Sequence, residues 1–185
     1  AARRTLYIET QYFTAPRIAA ALEKRLAERD GPEIVLVVRL LSHGWLEEHT
    51  MHVLRTNLIR ELRKADRYGR LGVYYPDIPG LPEGCCIDVH SKLMIVDDRV
   101  LRIGSSNLCK RSMSMDTECD AVVESRGRPQ VAAAIRGFRE RLLAEHLHRP
   151  VAKVREEIER TGSLREAIAA LSGAGPTLKA LEDLP

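Results

Sequence analysis

Apolar residues in this chain recur either at every second position or at helical spacing, and the switches between the two patterns lay out its elements. Leu6 to Phe13 (LYIETQYF) concentrates aromatic and β-branched residues and predicts a strand. Thr14 and Pro16 mark a helix start; Ile18, Leu22 and Leu26 then keep helical spacing through Arg17 to Arg29, which Asp30-Gly31-Pro32 ends. Glu33 to Arg39 holds the unbroken run Ile34-Val35-Leu36-Val37-Val38, the pattern of a central strand covered on both faces. A loop with Ser42, His43 and Gly44 leads to a long helix, Leu46 to Tyr68, with Leu54, Leu58 and Leu62 on one face. Leu71 to Tyr75 predicts a third strand and Pro76 to Gly84 a loop. Ile87 to Asp97 predicts a strand, Asp97-Asp98-Arg99 a turn, and Val100 to Ile103 and Glu118 to Glu124 two more strands. Gln130 to Leu147 predicts an amphipathic helix through Val131, Ile135, Phe138 and Leu142. Beyond Pro150 come a short helix, Val151 to Arg160, and another from Leu164 to Leu171, whose Ser163 and Glu166 form a capping-box pattern. Gly173 to Pro185 reads as loose.

Strands interleaved with helices predict an α/β fold: a mixed β-sheet sandwiched between helices, with the close strand pair around Asp98 as its antiparallel part. The boundary near Pro150 separates a main lobe, residues 1–148, from a helical C-terminal extension, 149–185. With 44% hydrophobic and 30% charged residues, the chain has the balance of a folded domain rather than of a disordered segment. Its formal net charge of +3 is too small to argue for nucleic-acid binding.

Cys85, Cys86, Cys109 and Cys119 form no C-x-x-C pair, which argues against zinc and for reduced, mostly buried thiols in a cytoplasmic protein. No run of about 18 apolar residues occurs, so no segment reads as membrane-spanning, and no signal peptide is visible. The chain opens on Ala1, not methionine, and enters a strand pattern almost at once, which points to a fragment of a longer polypeptide.

The chemistry concentrates in His90 to Asp120, HSKLMIVDDRVLRIGSSNLCKRSMSMDTECD. In a strand, His90 and Lys92 project to one face with Met94 beyond them, while Leu93 and Ile95 face a core layer. An imidazole beside an ammonium is a poor structural choice, because two cationic groups repel. It makes sense if an anion sits between them, and a phosphate fits that demand, with Ser105 and Asn107 as neutral donors.

Written as a pattern, the segment is H-x-K-x4-D-x6-G-S-x-N, and it resembles the phospholipase D superfamily signature at each defined position. Tyr7 to Phe13 is similar to the strand that opens the second half of two-motif members. Arg111-Ser112-Met113 and Asp116 to Asp120 resemble the stretch after the motif in bacterial phospholipase D-like proteins. The resemblance covers roughly residues 5 to 148 and implies one lobe of a pseudo-two-fold pair.

It also implies a phosphohistidine mechanism in which His90 is nucleophile or general acid and Lys92 and Asn107 grip the phosphate. Glu118 would orient a motif histidine, its own or that of the other lobe. Asp97, at the turn end of the strand, takes a mainly structural part, bracing the turn or pairing with a basic residue. Gln11 stands near the phosphate, at the lobe junction, or as an ordinary strand residue.

His43, His49 and His52 invite a metal reading, but no third ligand has clear spacing and the family chemistry needs neither metal nor cofactor. Trp45, in the loop with His43, would touch an acyl chain or headgroup, or anchor packing.

Members of this family use two motifs, and this sequence holds one. The second lobe is therefore expected from an upstream half of a longer chain or, less favoured, from a second copy in a homodimer. A missing upstream half should leave an exposed apolar face on this lobe, and such a face could drive dimerisation. The leading expectation is hydrolysis or transphosphatidylation of a phospholipid at a membrane surface. The alternatives are a dimeric phosphodiesterase acting on nucleic acid, which is disfavoured because Arg and Lys are spread among acidic residues, a cardiolipin synthase-type transferase, and a catalytically silent isolated lobe.

Overall fold

The computed structural model describes residues 2–41 and 48–182. Three parallel strands form its middle: β1 (Thr5–Thr10), β2 (Glu33–Val37) and β3 (Leu71–Asp77). Helices α1 (Pro16–Ala27) and α2 (Val53–Ala65) connect them, the second entered through a π-helical turn, Glu48–His52. On the other side of β1 lies the antiparallel β4 (Lys92–Val96), followed by β5 (Val100–Gly104) and β6 (Asp120–Glu124), also antiparallel. The short α3 (Lys110–Ser114) links β5 to β6, and α4 (Pro129–Leu147), α5 (Val151–Thr161) and α6 (Leu164–Leu171) follow. A final strand, β7 (Thr177–Ala180), pairs antiparallel with β3, giving the order β6-β5-β4-β1-β2-β3-β7.

The sheet is covered on both faces. Leu6, Ile8, Ile34 and Leu36 turn one way, onto Leu22 and Leu26 of α1 and Ile59 and Leu62 of α2. Tyr7, Val35, Val37, Leu93 and Ile95 turn the other way, onto Ile135, Leu143 and Leu147 of α4 and Val154, Leu164 and Ile168 beyond it. Each fully buried aliphatic side chain in these layers contributes about 1.5–3 kcal/mol. The α/β sandwich with a mixed sheet expected from the sequence is thus the observed architecture.

Some local expectations need correction. The strand expected over Ile87 to Asp97 begins only at Lys92, so His90 and Ser91 lie just outside the ladder. Glu118 likewise precedes β6 rather than opening it. On α2 the buried residues are Arg55, Thr56, Ile59 and Leu62, and Leu54 is half exposed, because at 3.6 residues per turn it lies about 80° round the helix from Leu62, at the edge of the buried stripe. The C-terminal segment expected to be loose contributes β7, and Leu178 and Leu181 are buried in the two core layers. All four thiols are unpaired, but only Cys109 is buried; Cys85 and Cys119 are exposed, on the loop after β3 and the approach to β6. The expected loop with Ser42, His43, Gly44 and Trp45, and the helix start at Leu46, lie outside the described residues.

Candidate active site

β1 is where the sheet changes direction of growth: through α1 the chain goes to β2 on one side, and β4 returns on the other. Open α/β sheets leave a crevice at the carboxyl ends of strands at such a switch point. The register Thr10↔Lys92 brings the start of β4 to this end of β1. Side-chain alternation holds through the junction. Val89, Leu93 and Ile95 belong to the layer under α4, while Met94 packs on the opposite layer. Lys92 shares the Met94 face, and so by spacing does His90.

Lys92 is buried apart from a small part of its surface, and its Nζ donates to the backbone oxygen of His90 at 2.6 Å and to Gln11 Oε1 at 3.1 Å. Burial pulls its pKa down, Asp88 and Glu118 pull it back up, and Arg39 pushes it down again. The His90 imidazole is exposed, and no side chain among the described residues hydrogen-bonds to it. It is therefore open to an incoming ligand. Gln11, expected at the phosphate, at a lobe junction or as a plain strand residue, is a direct partner of the ammonium.

The Gly104-Ser105-Ser106-Asn107 segment closes another side. Asn107 Oδ1 accepts from the Tyr12 backbone N–H at 3.3 Å, which aims the amide with its NH2 end away from that contact. Thr14 and Ala15 N–H both donate to the Leu108 oxygen, so this segment is laced to the β1–α1 connection. Asp120 sets its shape: it accepts from Ser106 Oγ at 2.5 Å and from Arg102 at 2.8 Å, and Arg102 also donates to the Ser106 oxygen. Burial acts to raise the Asp120 pKa, but these donors outweigh it and hold the carboxyl low. Residue 104 must be glycine, since a Cβ there would come within 2.1 Å of Asp120 Oδ1 and 2.6 Å of its Cα.

Glu118 accepts from Ser105 Oγ at 2.5 Å. The hydroxyls of Ser105 and Ser112 hold it below the ordinary carboxylate range, with Lys92 adding to the effect. Its hydrogen-bond partners are thus serines, so it is tied to the motif directly through Ser105 and electrostatically through Lys92.

Asp97 stands at the far end of β4, roughly 16 Å from Lys92 at strand rise. Its carboxylate accepts from the backbone N–H groups of Arg3 at 2.8 Å, Arg4 at 2.7 Å and Thr5 at 2.9 Å. Burial opposes ionisation, yet these three donors win and lower its pKa. The geometry gives Asp97 the bracing of β1 rather than proton transfer. Asp97→Asn keeps the left-handed backbone at φ 52 accessible while removing the charge. It is expected to cost about 1–2 kcal/mol of stability, discounted for the exposed N–H groups. Because the folded pKa is depressed, this contribution is present above the unfolded carboxylate value and disappears as pH falls through the folded one. Thermal melts of Asp97→Asn and wild type should therefore differ at pH 7 and converge as the pH falls through the depressed Asp97 pKa.

Three residues were missed by sequence reasoning. Arg39, just past β2, is 1% exposed, stacks over the Tyr12 ring at 4.8 Å and reaches Asp88 at 3.4 Å. Arg55 donates to the Arg39 oxygen at 2.5 Å, and its own pKa falls to about 10 through burial and the neighbouring Arg39. Arg39 is near enough to Lys92 to act on its charge, with Asp88 opposing it, and Arg55 holds the Arg39 backbone. The third is Glu9, a carboxylate 2% exposed inside an aromatic strand; that anomaly is the signal a sequence reader could have used.

Of the histidines considered for metal, His43 and the side chain of His49 lie outside the described residues, and His52 Nδ1 contacts Arg55 at 3.0 Å. Among the described residues no group of three or more His, Cys, Asp or Glu is placed to hold a metal, and no helix is long and apolar enough to cross a membrane.

The family model described as cardiolipin synthase, phospholipase D-like domain matches residues 1–143. Over 42 residues the chain is 57% identical to Phospholipase D zeta 2 of Arabidopsis thaliana, a stretch that is 22% of this chain but only 4% of that protein. Among solved structures, phosphatidylserine synthase of Haemophilus influenzae Rd KW20 superposes with a TM-score of 0.55 at 20% identity, covering 87% of this chain and 40% of that one. The phospholipase D family member Nuc from Salmonella typhimurium gives a TM-score of 0.47 at 19% identity, covering 75% of this chain and 76% of that one.

Proposed function

The chain belongs to the phospholipase D superfamily, and we propose that it forms one lobe of an enzyme that cleaves a phospholipid phosphodiester through a phosphohistidine. The observation that carries this reading is the open imidazole of His90 beside the Lys92 ammonium, which is held against the His90 backbone at 2.6 Å. A ring nitrogen of one motif histidine attacks phosphorus, and the bond to the leaving oxygen breaks as a second histidine protonates that oxygen. Water then attacks phosphorus, giving its proton to that second histidine, now deprotonated, and the P–N bond breaks, releasing phosphatidic acid; an alcohol reacting the same way in place of water gives the transphosphatidylated lipid. Lys92 and the Asn107 amide hold the non-bridging oxygens, with Ser105 and Gln11 beside them, and Arg39 adds positive potential near Lys92. Glu118 holds Ser105 and favours the charged form of Lys92.

One H-x-K pair supplies one of the two histidines, so the complete site needs a second lobe, from a longer parent chain or from a second copy. In support, the β5–β6 edge beside Ser105 and Glu118 carries exposed Ile103, Val122 and Val123, with Met113 and Met115 on the connection between those strands. A phospholipid substrate is supported by the family description and by the stretch shared with Phospholipase D zeta 2. The enzyme would meet that substrate at a membrane surface.

The test is a substrate comparison with the intact protein. Vesicles of phosphatidylcholine should yield free choline and phosphatidic acid, and added butanol should divert product to phosphatidylbutanol. Cleavage of single-stranded DNA with no release of choline would overturn the lipid reading in favour of a nuclease.

A further inference from the structure

We propose that Glu9 is a positioning residue that fixes the direction in which His90 and Lys92 leave the sheet, acting through Ser91 from the opposite face. This inference rests on the catalytic reading of His90 and Lys92. The β1–β4 ladder ends at the pair Thr10↔Lys92, so the backbone hydrogen bonds of the strand do not fix residues 90 and 91. Ser91, between the two motif side chains, points to the other side, and its Oγ donates to Glu9 Oε2 at 2.6 Å.

Glu9 is itself held rigidly. Its Oε1 accepts from Tyr7 Oη at 2.5 Å, and His146 Nε2 lies 3.0 Å from the same oxygen. His146 sits in the last turn of α4, which packs on this face of the sheet. One carboxylate therefore ties together β1, the last turn of α4 and the residue between the proposed nucleophile and the phosphate-binding ammonium. Burial alone would raise the Glu9 pKa, but His146, Ser91 and Tyr7 outweigh it, so Glu9 remains an acceptor.

A buried carboxylate with three partners would also be retained for structure alone, so the test must separate the two roles. Ser91 is only partly buried, and Ser91→Ala removes the tie without leaving a charge unpaired. With the intact protein and a phosphatidylcholine substrate, Ser91→Ala is expected to lower kcat by about 10- to 100-fold, the scale of a small misplacement of reacting groups. KM should stay within about twofold, and the melting temperature should fall by only about 3–8 °C, as for one lost hydrogen bond to a buried carboxylate, which leaves the enzyme folded at assay temperature. Ser91→Thr, which keeps the hydroxyl, should restore most of kcat. Glu9→Gln should show the same kcat defect with a larger loss of stability. Retention of kcat within twofold in Ser91→Ala would overturn the proposal. If wild type turns over no phosphodiester, the catalytic reading has failed and the His90 imidazole NMR resonance decides the geometry, assigned by its absence in His90→Ala. A shift in Ser91→Ala that Ser91→Thr reverses supports positioning; an unchanged resonance overturns it.

Discussion

His90→Ala is expected to reduce phosphodiester turnover by at least about 10³-fold while leaving the melting temperature nearly unchanged, since a covalent route loses its essential nucleophile or acid. Both halves follow from the site. The imidazole is exposed and hydrogen-bonds to no side chain among the described residues, so its removal opens no cavity and orphans no buried group. Surface substitutions of that kind change stability by roughly 0.5 kcal/mol or less. A large kinetic loss with no structural loss is the signature of a group that touches the reacting atoms. Rapid quenching with phosphatidylcholine labelled at phosphorus should trap an acid-labile phosphoprotein in wild type, and the label should be lost in His90→Ala if His90 is the nucleophile. If His90 is instead the general acid, trapping should survive in His90→Ala and slow only with substrates that have poor leaving groups. Turnover within tenfold of wild type would remove His90 from the mechanism in both roles.

What the chain discloses in advance follows the range of each interaction. Strand and helix identities depend on neighbours two to four residues apart, which is why the run Ile34 to Val38 and the Leu22–Leu26 stripe read correctly. The facing of Lys92 and Met94 against Leu93 and Ile95 was legible for the same reason. Long-range pairing was not. Nothing local marks Thr177 to Ala180 as a strand; it becomes one because β3 offers an open edge and Leu178 and Leu181 have cores to enter. Gln11 could be placed only among alternatives until the β1–β4 register brought it to Lys92 across 81 positions. Arg39 stood only as the end of a strand and Arg55 as one of the polar positions of a helix, yet both are buried and Arg55 bonds the Arg39 backbone. Asp97 was legible as a bracing residue at the turn end of the strand, but its partners, the backbone N–H groups of Arg3, Arg4 and Thr5, were not, since they lie more than 90 positions away.

Lys92→Met should lower kcat by about 10²- to 10³-fold, the usual cost of removing one preorganised donor to a developing oxyanion. Methionine matches the buried stem, so the fold should persist and the effect should be one of charge. Lys92→Arg should rescue poorly. The ammonium fits between the His90 oxygen at 2.6 Å and Gln11 at 3.1 Å, and a longer planar fork cannot reproduce that geometry. The pH profile gives an independent check. Burial lowers the Lys92 pKa from the usual 10.5, and Arg39 acts in the same direction. The active form is the ammonium, so the alkaline limb of kcat/KM should fall below that value and vanish in Lys92→Met. Asp88 favours the charged form, so Asp88→Asn should move the limb to still lower pH, whereas Arg39→Gln should move it upward. Opposite displacements by these two substitutions would tie the limb to Lys92. A limb that ignores both, or that persists in Lys92→Met, would mean that another group carries the positive charge at phosphorus.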